Sequence, residues 1–206
     1  MPEFPDTSES LIAQVRDRTD ADAWERFEQL YRPVIFRIAR SKGLQHSDAL
    51  DLVQQVLVSV AVAIPKYQRN EAKTPFRHWL NRVTRNAILK SLQQSTREKP
   101  TGGTQVLEVL QEVPADDPTM DSLIETEYQR EIYSKAADAV RQDIADSTWF
   151  AFELTVVQQK SIEHAARVLD LSPGSVYAAR SRVIRRLRDT VEQIERGDAL
   201  RLFKEE

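Results

Sequence analysis

The stretch SIEHAARVLDLSPGSVYAARSRVIRRLR, residues 161–188, predicts two helices separated by a tight turn. Its first part repeats apolar side chains at the spacing of one helix face, namely Ile162, Ala165, Ala166 and Leu169. Ser172 and Pro173 then have the residue types of a helix N-cap and a first helical position. The stretch therefore predicts a helix-turn-helix, a motif that places its second helix in the major groove of DNA.

The second predicted helix has one apolar side and one polar side. The apolar side consists of Val176, Ala179, Val183, Leu187 and Val191. The first turns of a recognition helix read base edges, and each later residue lies about 1.5 Å further along the axis. We therefore expect base contacts from Ser175, Tyr177, Ala178, Ser181 and Arg182, and phosphate contacts from Arg185, Arg186 and Arg188.

An ordinary solvated helix face is the alternative interpretation of these arginines. Arg185 with Asp189, and Arg188 with Glu192, have the i, i+4 spacing of surface ion pairs worth a few tenths of a kcal/mol each. Such pairs leave Arg182 and Arg186 unexplained. DNA contact is therefore the favoured interpretation.

Charge is segregated along the chain, whose net charge is -3. Residues 75–99 contain six basic residues and one acidic residue, and residues 160–188 contain seven basic and two acidic residues. Between them, residues 108–146 contain eleven acidic and three basic residues. Two basic segments suit DNA, whereas the acidic segment and the negative total oppose non-specific binding to it.

The segment REKPTGGTQVLEVLQEVPADDPTM, residues 97–120, has the proline and glycine content of a linker. Helical periodicity dominates on both sides of it, and strand alternation is not visible. The sequence predicts an all-α protein with two small helical domains, residues 8–98 and 121–195, joined by a linker at residues 99–120. The second domain carries the helix-turn-helix.

Two helices are predicted in the first domain. One follows Ser47 as N-cap and stops at Pro65, with a core-facing stripe of Leu50, Val53, Leu57, Val60, Ala61 and Ile64. Asp51, Gln55, Val58 and Val62 form a neighbouring stripe, and Leu52 and Val56 lie on a further side, which implies burial or a partner. The other starts at Thr74 and Pro75, with an apolar stripe of Phe76, Trp79, Leu80, Val83 and Ala87.

Composition excludes most enzyme chemistry. The chain has no cysteine, three scattered histidines and five glycines, so a thiolate nucleophile, a metal cluster and a phosphate-binding loop all lack their residues. We therefore expect no enzyme activity, no metal and no cofactor. The acidic N-terminus is unlike a signal peptide and no uninterrupted apolar window approaches about 18 residues, which predicts a cytoplasmic protein that does not enter a membrane.

The two helix patterns together resemble one family. SPGSVYAARSRVIRRLR after SIEHAARVLDL is similar to the C-terminal domain of extracytoplasmic-function sigma factors, the promoter-specificity subunits of bacterial RNA polymerase. SDALDLVQQVLVSV resembles their polymerase-binding helix, and TPFRHWLNRVTRNAILKSLQQSTRE the helix that engages the opened -10 element. Asp170 departs from the family, because glycine is usual at this turn, although Asp tolerates left-handed backbone better than most residues.

The resemblance implies a sigma factor that directs core RNA polymerase to promoters and performs no chemistry itself. It implies core RNA polymerase and promoter DNA, both duplex and single-stranded, as partners, with an anti-sigma factor as a candidate regulator. It assigns core polymerase binding to Asp48, Asp51, Gln54 and Gln55. It assigns the melted -10 strand to Tyr67, Arg69, Asn70, Lys73, Arg77, Asn81, Arg82 and Arg85. Of these, Arg77, Asn81, Arg82 and Arg85 are expected on the outward side of the helix. It assigns the -35 duplex to Ser172, Ser175, Tyr177, Ala178, Ser181, Arg182, Arg185 and Arg186.

Two other classes of protein stay open at this point. A helix-turn-helix transcriptional regulator that is not a polymerase subunit would share the C-terminal motif, but would need a receiver or ligand-binding domain before it. A plain helical adaptor is the weaker alternative. Binding of purified core polymerase separates the sigma factor from both.

Overall fold

The computed structural model describes residues 9–17, 19–67, 76–98 and 118–196. Within these ranges the chain forms eight α-helices and no strand, which confirms the all-α prediction. It divides into two compact units, Met1–Glu131 and Ile132–Glu206. The predicted linker lies outside the described residues except at 118–120, which already belong to a helix.

Four helices and the start of a fifth make up the described part of unit 1. They are α1 (Glu9–Arg16), α2 (Ala21–Ser41), α3 (His46–Ala63), which continues as a 3-10 turn at Ile64–Lys66, α4 (Phe76–Glu98) and the first part of α5 (Pro118–Gln142). Asp20 caps α2, because its carboxylate accepts a hydrogen bond from the Ala23 N–H at 2.9 Å. Gly43, with a φ of +89°, makes the turn between α2 and α3.

Aromatic side chains fill the centre of unit 1. The rings of Phe27 and Tyr31 from α2 meet Phe76 of α4 edge to face, with centroids 5.9 and 5.8 Å apart. Tyr128 of α5 stacks on Tyr31 at 5.5 Å. Burial of each such side chain stabilises the fold by roughly 1.5 to 3 kcal/mol. Helix α5 therefore contributes to the same aromatic core as α2 and α4.

Helix α3 differs from its prediction in its start and at Leu50, whereas most of the predicted core stripe is buried, namely Val53, Leu57, Val60 and Ile64. Gln45 rather than Ser47 occupies the N-cap, without a side-chain hydrogen bond. Leu50 is 43% exposed, whereas Leu52 and Val56 are fully buried together with Val53. The physical reason is that α3 packs against both α2 and α4, so its buried surface is wider than a single stripe and is turned toward Leu52.

By length and composition the segment His46–Lys66 is apolar enough to cross a membrane, with a mean hydropathy of 1.5. Packing on two sides explains this composition, because Ala49, Val53, Val56 and Val60 are all fully buried within unit 1. The helix also carries Asp48 and Asp51 on its exposed side. We therefore interpret α3 as a core helix.

Helix α4 buries a different side from the predicted one. Phe76 and Leu80 are buried as expected, but Trp79, Val83 and Ala87 are only half-buried. The rest of the buried side consists of Arg77, Asn81, Thr84 and Ile88. Thr84 satisfies its hydroxyl within the helix by donating to the Leu80 carbonyl at 2.9 Å. The predicted cap at Thr74 and Pro75 lies outside the described residues.

Unit 2 contains the second part of α5 and three further helices. They are α6 (Asp146–Phe152), which continues as a π-helical turn at Glu153–Val157, α7 (Ile162–Leu169) and α8 (Pro173–Arg196). Val183 of α8 packs with Val140 of α5 and Phe152 of α6. A second cluster joins Val176 and Ala179 of α8 to Ala165 and Ala166 of α7, where small side chains let the two helices approach closely.

Candidate nucleic-acid interface

The turn between α7 and α8 has the geometry that its sequence predicts. Asp170 lies in the left-handed region, with φ 52° and ψ 45°, and ends α7. The Ser172 hydroxyl accepts a hydrogen bond from the Ser175 N–H at 3.0 Å, and Pro173 is the first residue of α8. The predicted cap and first residue are confirmed, and Asp170 adopts the left-handed backbone that its residue type tolerates.

The start of α7 is also fixed by a side-chain cap. The Ser161 hydroxyl accepts a hydrogen bond from the His164 N–H at 3.1 Å. The backbone N–H of Glu163 and the Ser161 hydroxyl bind the Glu163 carboxylate and hold its pKa below the ordinary value. A carboxylate that stays charged at a helix N-terminus also stabilises the helix through a favourable interaction with the helix dipole. Both helices of the pair therefore begin at well-defined positions.

Helix α8 faces the way its periodicity predicts. Val176, Ala179, Val183 and Val191 are buried, and Leu187 is half-buried. All eight residues assigned to the -35 duplex are exposed, with Tyr177 at 61%: Ser172, Ser175, Tyr177, Ala178, Ser181, Arg182, Arg185 and Arg186. From Ser175 to Arg186 this face extends about 17 Å along the helix, enough to cross a major groove about 12 Å wide.

The arginines on this face do not form the ion pairs of the alternative interpretation. Among the described residues Glu192 pairs with Arg196 at 3.2 Å rather than with Arg188, and no ion pair joins Arg185 to Asp189. Arg186 donates to the backbone carbonyl of Asp143 at 3.3 Å. The face is therefore a cationic surface that local carboxylates do not neutralise.

The residues assigned to core polymerase form a second exposed surface, on α3. Asp48, Asp51, Gln54 and Gln55 are all exposed, as predicted. Val58 and Val62, on the same side, are each 63% exposed. Exposed valines beside carboxylates and amides make a mixed surface of the kind that protein partners cover.

The residues assigned to the -10 strand differ in their exposure to solvent. Arg82 is exposed, Arg85 and Tyr67 are half-buried, and Arg69, Asn70 and Lys73 lie outside the described residues. Tyr67 contacts the Trp79 ring with centroids 5.2 Å apart, and the Arg16 guanidinium lies 5.8 Å from the Tyr67 ring centroid. Arg16 also donates to the Tyr67 carbonyl at 2.6 Å. Tyr67 and Trp79 thus form an aromatic cluster beside a cation.

The expectation that Arg77 and Asn81 point outward is wrong. They are 5% and 4% exposed. The Arg77 Nε lies 2.5 Å from a Glu125 carboxylate oxygen, and its guanidinium lies 4.4 Å from the centroid of the Tyr128 ring. The physical reason is that α5 covers this side of α4, and the sequence of α4 alone contains no sign of that partner.

Sequence reasoning also missed Arg37 of α2, which binds α5. Its guanidinium forms ion pairs with Glu127 and Glu131, the latter at 3.0 Å. The available signal was the i, i+4 spacing of these two glutamates, which places both on one side of a helix. Among the described residues no group of three or more histidines or carboxylates is arranged to hold a metal ion.

Two comparisons with known proteins identify proteins that this chain resembles. Residues 27–98 match the family model of sigma-70 region 2. The chain is also 24% identical, over 193 residues, to the ECF RNA polymerase sigma factor SigE of Mycolicibacterium smegmatis, a match that covers 91% of this chain and 69% of the relative.

Residues 27–98 of the chain thus form a sigma-70 region 2 domain. Over 91% of its length the chain is a distant homologue of a protein named as an ECF RNA polymerase sigma factor. The sigma factors that it resembles are not enzymes.

Proposed function

We propose that this sigma factor directs core RNA polymerase to promoters with a separate surface for each partner. Unit 1 binds core polymerase through α3 and the melted -10 strand through α4 and the segment before it. Unit 2 reads the -35 duplex, with α7 and α8 as its helix-turn-helix. The observation that carries the proposal is the exposed arginine face of α8 behind a capped turn, in a chain whose first unit matches sigma-70 region 2.

The distribution of side-chain size along α8 supports duplex reading. Ser175, Ala178 and Ser181 are small and exposed, so the start of the helix can approach base edges closely. Arg182 follows, and an arginine can donate two hydrogen bonds to a guanine edge. Arg185 and Arg186 lie further along and suit phosphates, which position the helix without reading sequence.

Charge and exposure support polymerase binding by α3. Asp48 and Asp51 offer carboxylates, Gln54 and Gln55 offer amides, and the two exposed valines, Val58 and Val62, offer apolar area. A partner that presents basic side chains around an apolar centre fits this composition.

The aromatic cluster, the exposed Arg82 and the half-buried Arg85 of unit 1 support single-strand binding. An unstacked base can stack on Tyr67 or Trp79, while Arg82 and Arg85 neutralise the strand's phosphates. Arg69, Asn70 and Lys73 belong to the same proposed surface. Arg77 and Asn81 are excluded from direct contact as long as α5 covers them.

The proposal places the protein in the cytoplasm, where polymerase and promoters are. An anti-sigma factor would act by covering the α3 surface or the α8 face, because occupation of either prevents assembly on a promoter. Its binding would therefore compete with core polymerase or with duplex DNA.

Reconstitution tests the proposal. Purified protein is combined with core RNA polymerase and genomic fragments, and bound fragments are footprinted and used for run-off transcription. We expect transcripts only when the protein is present, with footprints upstream of each start site. Protection of fragments by the protein alone, with no protein-dependent transcript, would instead establish a regulator that is not a polymerase subunit.

A further inference from the structure

The first part of α5 lies across α2 and α4 of unit 1 as an acidic strap, a name used here for residues 122–131. Ile124 and Tyr128 are the buried apolar residues of the strap, each 1% exposed. Its three acidic residues are Glu125, Glu127 and Glu131, against one basic residue, Arg130. The strap thus brings net negative charge to the two helices it covers.

Arg37 of α2 binds the strap through all three of its guanidinium nitrogens. Nε donates to the Glu127 carboxylate, Nη1 donates to Glu131 at 3.0 Å, and Nη2 donates to the Glu127 backbone carbonyl at 3.1 Å. The side chains of this cluster are largely buried. Because water screens them only partly, these ion pairs are stronger than ordinary surface pairs.

Arg77 of α4 makes the second charged contact. Its guanidinium lies between the Glu125 carboxylate, 2.5 Å from Nε, and the face of the Tyr128 ring. Tyr128 in turn stacks on Tyr31, so the Tyr128 ring is held by contacts with both Arg77 and Tyr31. A carboxylate therefore occupies the position that a phosphate oxygen would take in a complex of Arg77 with DNA.

We propose that the acidic strap is an internal competitor of the melted promoter strand. It occupies Arg77 and covers one side of α4 in the free protein, and single-stranded DNA must displace it to gain these contacts. The inference rests on the proposed function, because it assumes that α4 binds the strand. The net negative charge of the chain predicts weak DNA binding, and the acidic strap would be a specific structural cause of it.

The composition of the contact supports displacement. Two arginines and two apolar side chains hold the strap, and the Glu125 side chain keeps about a third of its surface in water. Phosphates carry the same charge as the carboxylates they would replace, and a strand supplies several of them in succession. The exchange of carboxylate for phosphate at Arg77 keeps the guanidinium paired throughout.

The absence of cysteine from the chain allows a direct test of displacement. Ile124→Cys places a single buried thiol in the strap, and Ile35→Cys places one in the core of α2 as a control. Thiol modification is timed in the complex with core polymerase, with and without a pool of 20-nucleotide single strands of random sequence. We expect modification of Ile124→Cys to accelerate on the order of tenfold or more with DNA, a typical size of coupling between two sites, while Ile35→Cys stays protected.

The outcomes separate this proposal from the proposed function. If no complex with polymerase forms, the proposed function fails and the competitor proposal fails with it. If the complex forms and binds the strands while Ile124→Cys stays as protected as before, the proposed function stands. In that case the strap is a permanent part of unit 1 and the competitor proposal is overturned.

A second experiment measures the competition itself. Glu125→Gln with Glu127→Gln removes two charges from the strap, and Asp138→Asn with Asp143→Asn removes two charges from exposed positions outside it. We expect the strap variant of the full chain to bind the same single strands about fivefold more tightly than the control variant. Equal affinity of the two variants would show that only net charge matters and would overturn the proposal.

Discussion

A single residue, Asp170, sets the turn between the last two helices. Its left-handed backbone ends α7 and lets Ser172 begin α8 two residues later. A β-carbon in this region costs about 1 to 2 kcal/mol, and Asp is among the few residues whose side chain relieves part of that cost. The direction in which α8 leaves the turn therefore depends on one strained position.

Substitutions at Asp170 should change the stability of the chain according to how well each residue type tolerates left-handed backbone. Asp170→Ala should lower the free energy of unfolding of the chain by roughly 1 kcal/mol, and Asp170→Gly should equal or exceed the wild type. Urea denaturation followed by far-UV circular dichroism measures both. As a control, Asp189→Gly inside α8 should destabilise by roughly 0.5 to 1 kcal/mol, because helical backbone disfavours glycine. Greater stability of Asp170→Ala than of Asp170→Gly would contradict the prediction.

Arg182 and Arg186 should differ in what they contribute to -35 binding. Arg182→Ala should cost about 1 to 3 kcal/mol on the best site and relax preference at one or two positions. Arg186→Ala should weaken all sites alike and reduce the magnitude of the salt slope by about one unit, as one lost phosphate contact does. The measurement is binding of polymerase with each variant to a randomised -35 library at two salt concentrations. Identical shifts in sequence preference would refute the division of α8 into reading and anchoring turns.

At the scale of elements, α3 and α4 each combine a buried side with an exposed side that we propose as a binding surface. Helix α3 is buried between α2 and α4, and its remaining side carries the acidic and amide residues. Helix α4 buries one side under α5 and leaves Arg82 exposed. Substitution on the exposed sides can therefore alter binding without a change in the core.

Charge reversal on the α3 surface should leave the fold intact but weaken binding to core polymerase. Asp51→Arg with Gln55→Arg should weaken core polymerase binding and leave helical content unchanged, since both side chains are exposed. Competition against another sigma factor for core polymerase measures the loss. Glu25→Arg with Gln29→Arg makes the same change of charge on α2, where the two side chains hydrogen-bond each other, and serves as the control. Equal competition by both variants would reject the α3 assignment.

On α4, Arg82 is the arginine that tests strand binding cleanly. Arg82→Ala should reduce open-complex formation more than closed-complex formation, because only the opened strand needs its charge. Permanganate reactivity of the -10 region reports opening. Arg77→Ala, by contrast, should also lower the melting temperature, since it removes the partner of Glu125 and Tyr128. If -10 reactivity is the same for Arg82→Ala and wild type, the role lies elsewhere.

Local pattern predicted α8 well and α4 poorly, for physical reasons. The outward side of α8 follows from its own periodicity, since its apolar residues lie on one side of the helix and its polar residues on the other. Helix α3 is apolar on several sides, so its sequence alone could not distinguish buried Leu52 from exposed Leu50. The buried side of α4 depends on α5, which lies beyond the linker, and Arg77 reads as a surface cation until that partner is known.

At the scale of the whole molecule, the charge distribution predicts that DNA binding depends on a partner. The chain is net negative, while its cations are concentrated in two segments. We expect long-range repulsion to weaken encounters of the free protein with DNA, and in the proposed function polymerase supplies the missing attraction. Promoter binding should therefore depend on assembly.

This dependence is measurable by gel shift on a promoter fragment. Near 0.15 M salt, where charges are screened beyond about 8 Å, the free protein should give no shift at concentrations at which the complex with core polymerase shifts fully. Core polymerase alone on the same fragment is the control. Equal affinity of free and assembled protein would favour a regulator that acts without polymerase.

The core of unit 1 is discontinuous in the chain, because Tyr128 stacks on Tyr31 from beyond the linker. During synthesis the residues of α1 to α4 emerge first, and the residues that cover Arg77 follow about 30 positions later. At typical elongation rates of roughly 5 to 20 residues per second, the nascent domain waits roughly 1.5 to 6 seconds for them. For that interval the ring face of Tyr31 and the guanidinium of Arg77 lack the α5 residues that cover them. A nascent chain stalled before α5 should therefore be a substrate for chaperones and proteases that the finished protein escapes.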